Sequence, residues 1–325
     1  MSHSFHADWS LDLAIEIDRH SIGFLGEFFR ASREKRQVIA AYLCAKAPFE
    51  DEMERVGDFL RSADHRAILM AAYRDVPTRF RGALRRAGPT VHDLRFYSTL
   101  HQLLSVPAHD QIRNCIARLT SLDLTKLHIL SILPEPICRA NVIAAIKSVD
   151  NAQDIIASFH LLVRRGVDHD ALAAAICRVR SEKDMVRVWQ RWAVKARCDH
   201  PVPASAHYHP VLKGEHLNSL ALRYRNCARG YLADLVEGTA AFAEVYLENQ
   251  NAVVHLKKKN GKWILDGLFG PRNAAPPRRI REFAQKYLAE HDVEIISRGR
   301  RKNSEFDSLR RLVGEPHFDF DFDYV

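Results

Sequence analysis

Between Ser32 and Trp192, apolar residues recur at steps of three and four, and the runs are interrupted at regular intervals. Candidate helix-capping residues fall at Ser32, Ser62, Thr90, Thr120, Asn151 and Ser181, separated by 30, 28, 30, 31 and 30 residues. Four of them have an acid three positions on, at Asp93, Asp123, Asp154 and Asp184, where a carboxylate can reach back to the cap and meets the positive helix end. A second series of turn residues, Pro48, Pro77, Pro107, Pro136 and Gly166, runs at spacings of 29, 30, 29 and 30. An apolar helix follows each cap, as in Leu94 to Leu104 and Ile155 to Val163, and another follows each turn, as in Ile112 to Leu119 and Leu172 to Val179. The pattern predicts helical hairpins. A hairpin this short cannot bury both faces alone, so neighbours must stack, and the text reads as an α-solenoid of about five hairpins plus a terminal helix. An ordinary helical bundle with coincidental spacing is the alternative. Leu11 to Phe29 reads as a capping helix.

Residues 199–213, with Pro201, Pro203 and Pro210, break any helix and are expected to be a linker. The expected domains are therefore an α-helical repeat domain at 1–198, the linker, and an α+β domain at 214–325. In the last, Leu217, Leu220, Tyr224, Cys227, Tyr231 and Leu235 share one face of a single long helix that Gly238 ends. Three strands follow at Ala241 to Leu247, Ala252 to Leu256 and Lys262 to Leu268, with Asn260-Gly261 as the hairpin turn between the last two. A turn at Gly270 to Asn273 leads to a helix opening at Pro276-Pro277. The fold class is α+β overall and mostly α, ending in a small module with a three-stranded antiparallel meander.

These C-terminal residues resemble the PcfJ-like family of conjugative plasmids and other mobile elements. The shared words are Gly214-Glu215 with Leu217, then Asn226-Cys227, Tyr231, Gly238, Trp263 and Gly270-x-x-Asn273-x-x-Pro276. They cover about the last third of the chain. Family members commonly carry His or another residue where this chain has Arg225 or Asn226, so no role for a His–Cys pair carries over. The resemblance implies association with mobile-element biology, not a reaction.

Composition narrows the class. The 325 residues are 47% apolar, enough for sizeable cores, and a net charge of +8 with pI near 9.2 favours anionic partners without requiring them. Six cysteines at irregular spacing read as reduced core thiols, and no signal peptide or apolar run of membrane-spanning length is evident. A soluble, cytoplasmic protein that does not enter a membrane is expected.

Candidate chemistry is sparse. Cys198, His200, His207 and His209 could ligate zinc, but C-x-H then H-x-H departs from the paired spacings of structural sites, so no metal or other cofactor is expected. Cys227 lies mid-helix on the expected buried face, which favours a core thiol over a nucleophile. Asn273 suits a turn. Were a ligand pocket present, Asn226, Cys227, Tyr231, Trp263 and Asn273 would line it. Basic residues crowd the C-terminal module at Lys257, Lys258, Lys259, Arg278, Arg279, Arg300 and Arg301. In the helical region Arg86, Arg118, Lys147 and Arg178 close successive second helices, which would align them in a ladder. The macrodipole favours such cations with or without a ligand, and phosphate contact is the functional alternative. The tail from His317 to Val325 alternates aromatic and acidic residues. The resulting expectation is a binding or adaptor protein contacting nucleic acid without sequence specificity, or else a protein partner. An enzyme with a pocket around Asn226, Cys227, Tyr231 and Asn273 is the rival class, and no triad, phosphate loop or dinucleotide fingerprint supports it.

Overall fold

Local propensity and capping build the N-terminal unit, residues 1–197, from helices. The computed structural model describes residues 9–47, 52–107 and 110–295. Helices α1 (Trp9–His20) and α2 (Phe24–Arg30) come first. Five pairs follow: α3 (Arg33–Lys46) with α4 (Met53–Ser62), α5 (His65–Ala72) with α6 (Phe80–Arg86), α7 (Leu94–Ser105) with α8 (Asp110–Arg118), α9 (Leu124–Ile132) with α10 (Ala140–Ala145), and α11 (Val149–Arg164) with α12 (His169–Ile176). Helix α13 (Glu182–Ala193) closes the unit. Helix α3 packs against α5 and α7, α7 against α9, and α9 against α11, while α6 packs against α8 and α8 against α10. Leu43, Leu100, Leu127 and Leu130 are fully or almost fully buried in these layers, and each contributes roughly 1.5–3 kcal/mol.

Side-chain amides tie successive pairs by satisfying carbonyls of the segments that follow helices. Gln37, fully buried, donates to the carbonyls of Gly88 and Thr90 at 3.1 and 2.7 Å and accepts from the Tyr97 hydroxyl at 2.7 Å. Asn141 likewise donates to the carbonyls of Cys177 and Val179 at 2.9 and 2.6 Å.

The caps differ from the expected ones. Ser32 and Ser181 do cap α3 and α13. Elsewhere Asp64, Asp93 and Asp123 stand at the cap where Ser62, Thr90 and Thr120 were expected, and Ser148 where Asn151 was. Asp93 and Asp123, read as reaching back to a cap, are the caps themselves, because a carboxylate is the better acceptor for the first-turn amides. The expected helix from Leu11 to Phe29 is broken at Gly23, whose φ of 94° is held as Asp18 accepts from the amides of Gly23 and Leu25. Pro48 lies outside the described residues.

The second unit, residues 198–325, holds a four-stranded antiparallel sheet, not the three strands expected. Its strands are β1 (Tyr208–Pro210), β2 (Ala240–Leu247), β3 (Gln250–Lys259) and β4 (Lys262–Phe269), in that order. The extra strand comes from the stretch expected to be a linker: Tyr208 pairs with Val245 and Pro210 with Ala243, so that Pro210 rests on an edge strand. Asn260 and Gly261 turn β3 into β4 with φ of 49° and 80°, as the hairpin signal requires. One sheet face, with Ala241, Ala243, Val245, Val254 and Leu256, is covered by Ile280, Ala284 and Leu288 of α16 (Arg278–Ala289).

The other face lies under α14 (Gly214–Tyr224) and α15 (Leu232–Glu237), separated by a 3-10 turn at Ala228–Tyr231. The single long helix expected here is thus broken. Arg225 takes the left-handed conformation at φ 49°, the Asn226 amide returns to the Ala221 carbonyl, and the Asn226 side chain accepts from Ala228 N. Gly238 does end α15, at φ 81°. Among the described residues no helix is long and apolar enough to cross a membrane.

Candidate functional site

Strand alternation sends Phe242, Glu244, Val253 and His255 to the face under α14 and α15. All four are buried, and Glu244 and His255 are two of the few buried polar residues among those described. Facing them on β4 is a β-bulge. His255 pairs with Gly267 and Leu256 with Leu265, which leaves Asp266 as the extra residue. Leu265 and Leu268, three positions apart, both pack toward α16 because the bulge absorbs one step. Asp266 consequently faces His255, with Oδ2 3.2 Å from Nδ1. Gly267 completes the bulge: a Cβ there would lie 2.2 Å from Phe269 Cζ.

The imidazole packs against two aromatic rings that also touch each other, 5.7 Å apart. Phe242 stacks parallel to it at 4.5 Å between centroids, and Tyr231 leans on it at 4.7 Å. Burial holds His255 below the usual histidine range, against the opposing pull of Asp266 and Asp234. The ring is therefore neutral at pH 7 with its proton drawn to Nδ1 by the carboxylate. Its Nε2 is buried with no hydrogen-bond partner. This is the arrangement of a proton acceptor, closed under aromatic rings.

Two positions along β2, Glu244 forms an ion pair with Arg223 of α14. The Tyr224 hydroxyl is buried beside this carboxylate without hydrogen-bond geometry, and burial together with the Glu244 charge pushes its phenol up. Tyr246 on the same strand is pushed up by burial and by Glu244, and the His209 ring rests against it at 5.0 Å.

The sequence candidates do not converge on one pocket. Tyr231 joins the His255 cluster, but Trp263 packs on the opposite, α16-covered face. Asn226 is used in its own turn, and Asn273 is exposed at φ 58°. Cys227, expected in the core, is exposed because the helix ends before it. His255, Asp266 and Glu244 were missed. The signal for them was a charged or titratable residue inside an apolar strand, as in Val-Val-His-Leu and Ile-Leu-Asp-Gly.

The Cys198 to His209 cluster is dispersed. His200 Nδ1 bonds the Val202 carbonyl at 2.9 Å, the His207 ring meets Phe283, and Cys198 is buried. Among the described residues no group of three or more His, Cys, Asp or Glu is placed to hold a metal. The basic residues of this unit also separate. Lys257, Lys258 and Lys259 are exposed at the β3–β4 end, whereas Arg279 pairs with Glu248 at the other end of β3, and Arg278 pairs with Glu282. A strand of this length spans roughly 33 Å. In the helical unit Arg86 donates to the Gly82 carbonyl of its own helix, and Lys147 meets Glu182 at 2.5 Å. Arg118 and Arg178 are exposed and make no ion pair among the described residues. Arg300, Arg301 and the aromatic–acidic tail lie outside those residues. Comparison with family models, with curated proteins and with solved structures finds no match.

Proposed function

We propose that the protein is a cytoplasmic binding or adaptor protein of the PcfJ-like kind, serving a conjugative or other mobile element. In this reading the helix pairs from α3 to α13 form a short α-solenoid, and the sheet unit is the PcfJ-like module. The observation that supports it is the serial packing, α7 on α9 on α11 beside α6 on α8 on α10, in which helices of one pair meet those of the next. Arg118 is the last residue of α8 and Arg178 follows the end of α12 by two residues, and both are exposed to an anionic polymer in this reading. Anisotropy titrations of labelled single- and double-stranded oligonucleotides over a range of salt test this. Replacing both arginines with Gln is expected to flatten the log–log salt slope by roughly 0.7–0.9 for each phosphate left without its cation. Wild-type protein showing no salt-sensitive binding would remove nucleic acid and leave a protein partner.

One observation favours the rival, an enzyme: the neutral His255 imidazole backed by Asp266 with Nε2 unpaired. Diethyl pyrocarbonate decides this by mass spectrometry of native protein. Modification of His255 at the pace of the exposed His207 and His209 supports a substrate-accessible base, and an inert His255 beside modified His207 eliminates it.

A further inference from the structure

Two thiols from successive helix pairs meet in the helical unit. Cys115, in the second half of α8, and Cys138, just before α10, are both buried, and their Sγ atoms are 3.9 Å apart. Cys115 Sγ also lies 3.3 Å from the Cys138 carbonyl oxygen. The Gln111 amide binds the same carbonyl at 2.5 Å and lies 3.8 Å from Cys115 Sγ, so one side chain fixes both partners. The two sulfurs are unequal. Cys115 is drawn below the usual thiol range by its hydrogen bond with Cys138 and the charges of Arg139 and Arg118, whereas Cys138 is pushed up by the same hydrogen bond and by burial. Cys44 and Cys177, which have no thiol so close, are also pushed up. A disulfide has sulfurs about 2.05 Å apart, so a closing motion of a little under ~2 Å would join them.

We propose that Cys115 and Cys138 are a modification site: a peroxide-oxidised pair that forms a disulfide between two successive helical hairpins. The Cys115 thiolate attacks one oxygen of hydrogen peroxide and the O–O bond breaks. The departing hydroxide takes up the proton that Cys115 released, leaving water and a sulfenic acid on Cys115. The Cys138 sulfur then attacks Cys115 Sγ, the S–O bond breaks, and the departing oxygen leaves as a second water with the Cys138 proton. Two thiols and one peroxide thus become one disulfide and two waters. Only a small oxidant suits the site, since both sulfurs are buried.

The test uses folded, full-length protein with Cys227→Ser, which removes the exposed thiol that would otherwise link molecules. After a hydrogen peroxide titration, free thiols are alkylated in denaturant and peptides are mapped without reduction. The expected product is one cross-linked peptide pair containing Cys115 and Cys138, reversed by dithiothreitol. With Cys138→Ser, and independently with Cys138→Ala, Cys115 should instead be trapped by dimedone. The proposal is overturned if both thiols are recovered free at a dose that oxidises Cys227 in the wild-type chain, or if Cys138 joins Cys177 instead.

Discussion

His255 Nδ1 lies 3.2 Å from Asp266 Oδ2 because Asp266 is the extra residue that the bulge places in β4 between Leu265 and Gly267. Without the bulge, strict alternation would turn residue 266 or its neighbour Leu268 to the wrong face. The pairing is thus a product of register, and the smallest residue beside it maintains that register. Gly267→Ala places a Cβ 2.2 Å from the Phe269 ring. A loss of ~1–3 kcal/mol is expected in urea unfolding. The loss should shrink when Phe269→Ala is introduced first. An additive double mutant would show that Phe269 is not the reason for the glycine.

The identity of the caps can be read from single substitutions. Asp93→Ala and Asp123→Ala are each expected to cost ~1 kcal/mol, because each carboxylate accepts a first-turn amide. Thr90→Ala and Thr120→Ala, at exposed positions outside the helices, should stay within ~0.5 kcal/mol. Equal costs for threonine and aspartate would restore the capping box.

His200 gives a pH signature. Burial lowers it from 6.5 to about 4, while its hydrogen bond with Val202 opposes the shift. The folded form therefore prefers the neutral ring. Above pH ~6.5 both states are neutral and stability is full, and below it the unfolded chain gains a proton the folded one refuses, so stability falls until pH ~4. The full window corresponds to ~3 kcal/mol as an order of magnitude. His200→Gln should flatten the fall relative to wild type when unfolding free energies are compared between pH ~7.5 and ~4.5. Parallel curves would assign the acid sensitivity to other groups.

Tyr224→Phe removes a buried hydroxyl that has no hydrogen-bond partner. Thermal melts should show stability unchanged or raised by up to ~1 kcal/mol, since no bond is broken and a desolvation cost disappears. A clear drop would mean that the hydroxyl is bonded to Glu244 in solution.

What the sequence determined by itself was local. Asn260-Gly261 had to turn because two successive positive φ angles suit few other pairs, Gly238 could end a helix without strain, and Ser32 and Ser181 offered oxygens to first-turn amides. Short runs of β-branched and aromatic residues marked β2 to β4 for the same reason, that this composition is written in each segment alone. The pairs of α7 to α12 were legible through repeated punctuation. Tertiary structure decided the rest. Helical periodicity ran unbroken from Leu217 to Leu235, yet the chain turns at Arg225 and brings Tyr231 against His255, which moves Cys227 from the expected core to the surface. Tyr208 became a strand only because β2 offered an open edge. Asp266 reached His255 only through a bulge that neither strand specifies alone. These features depend on pairing energies between segments far apart in the chain, which no window of residues contains.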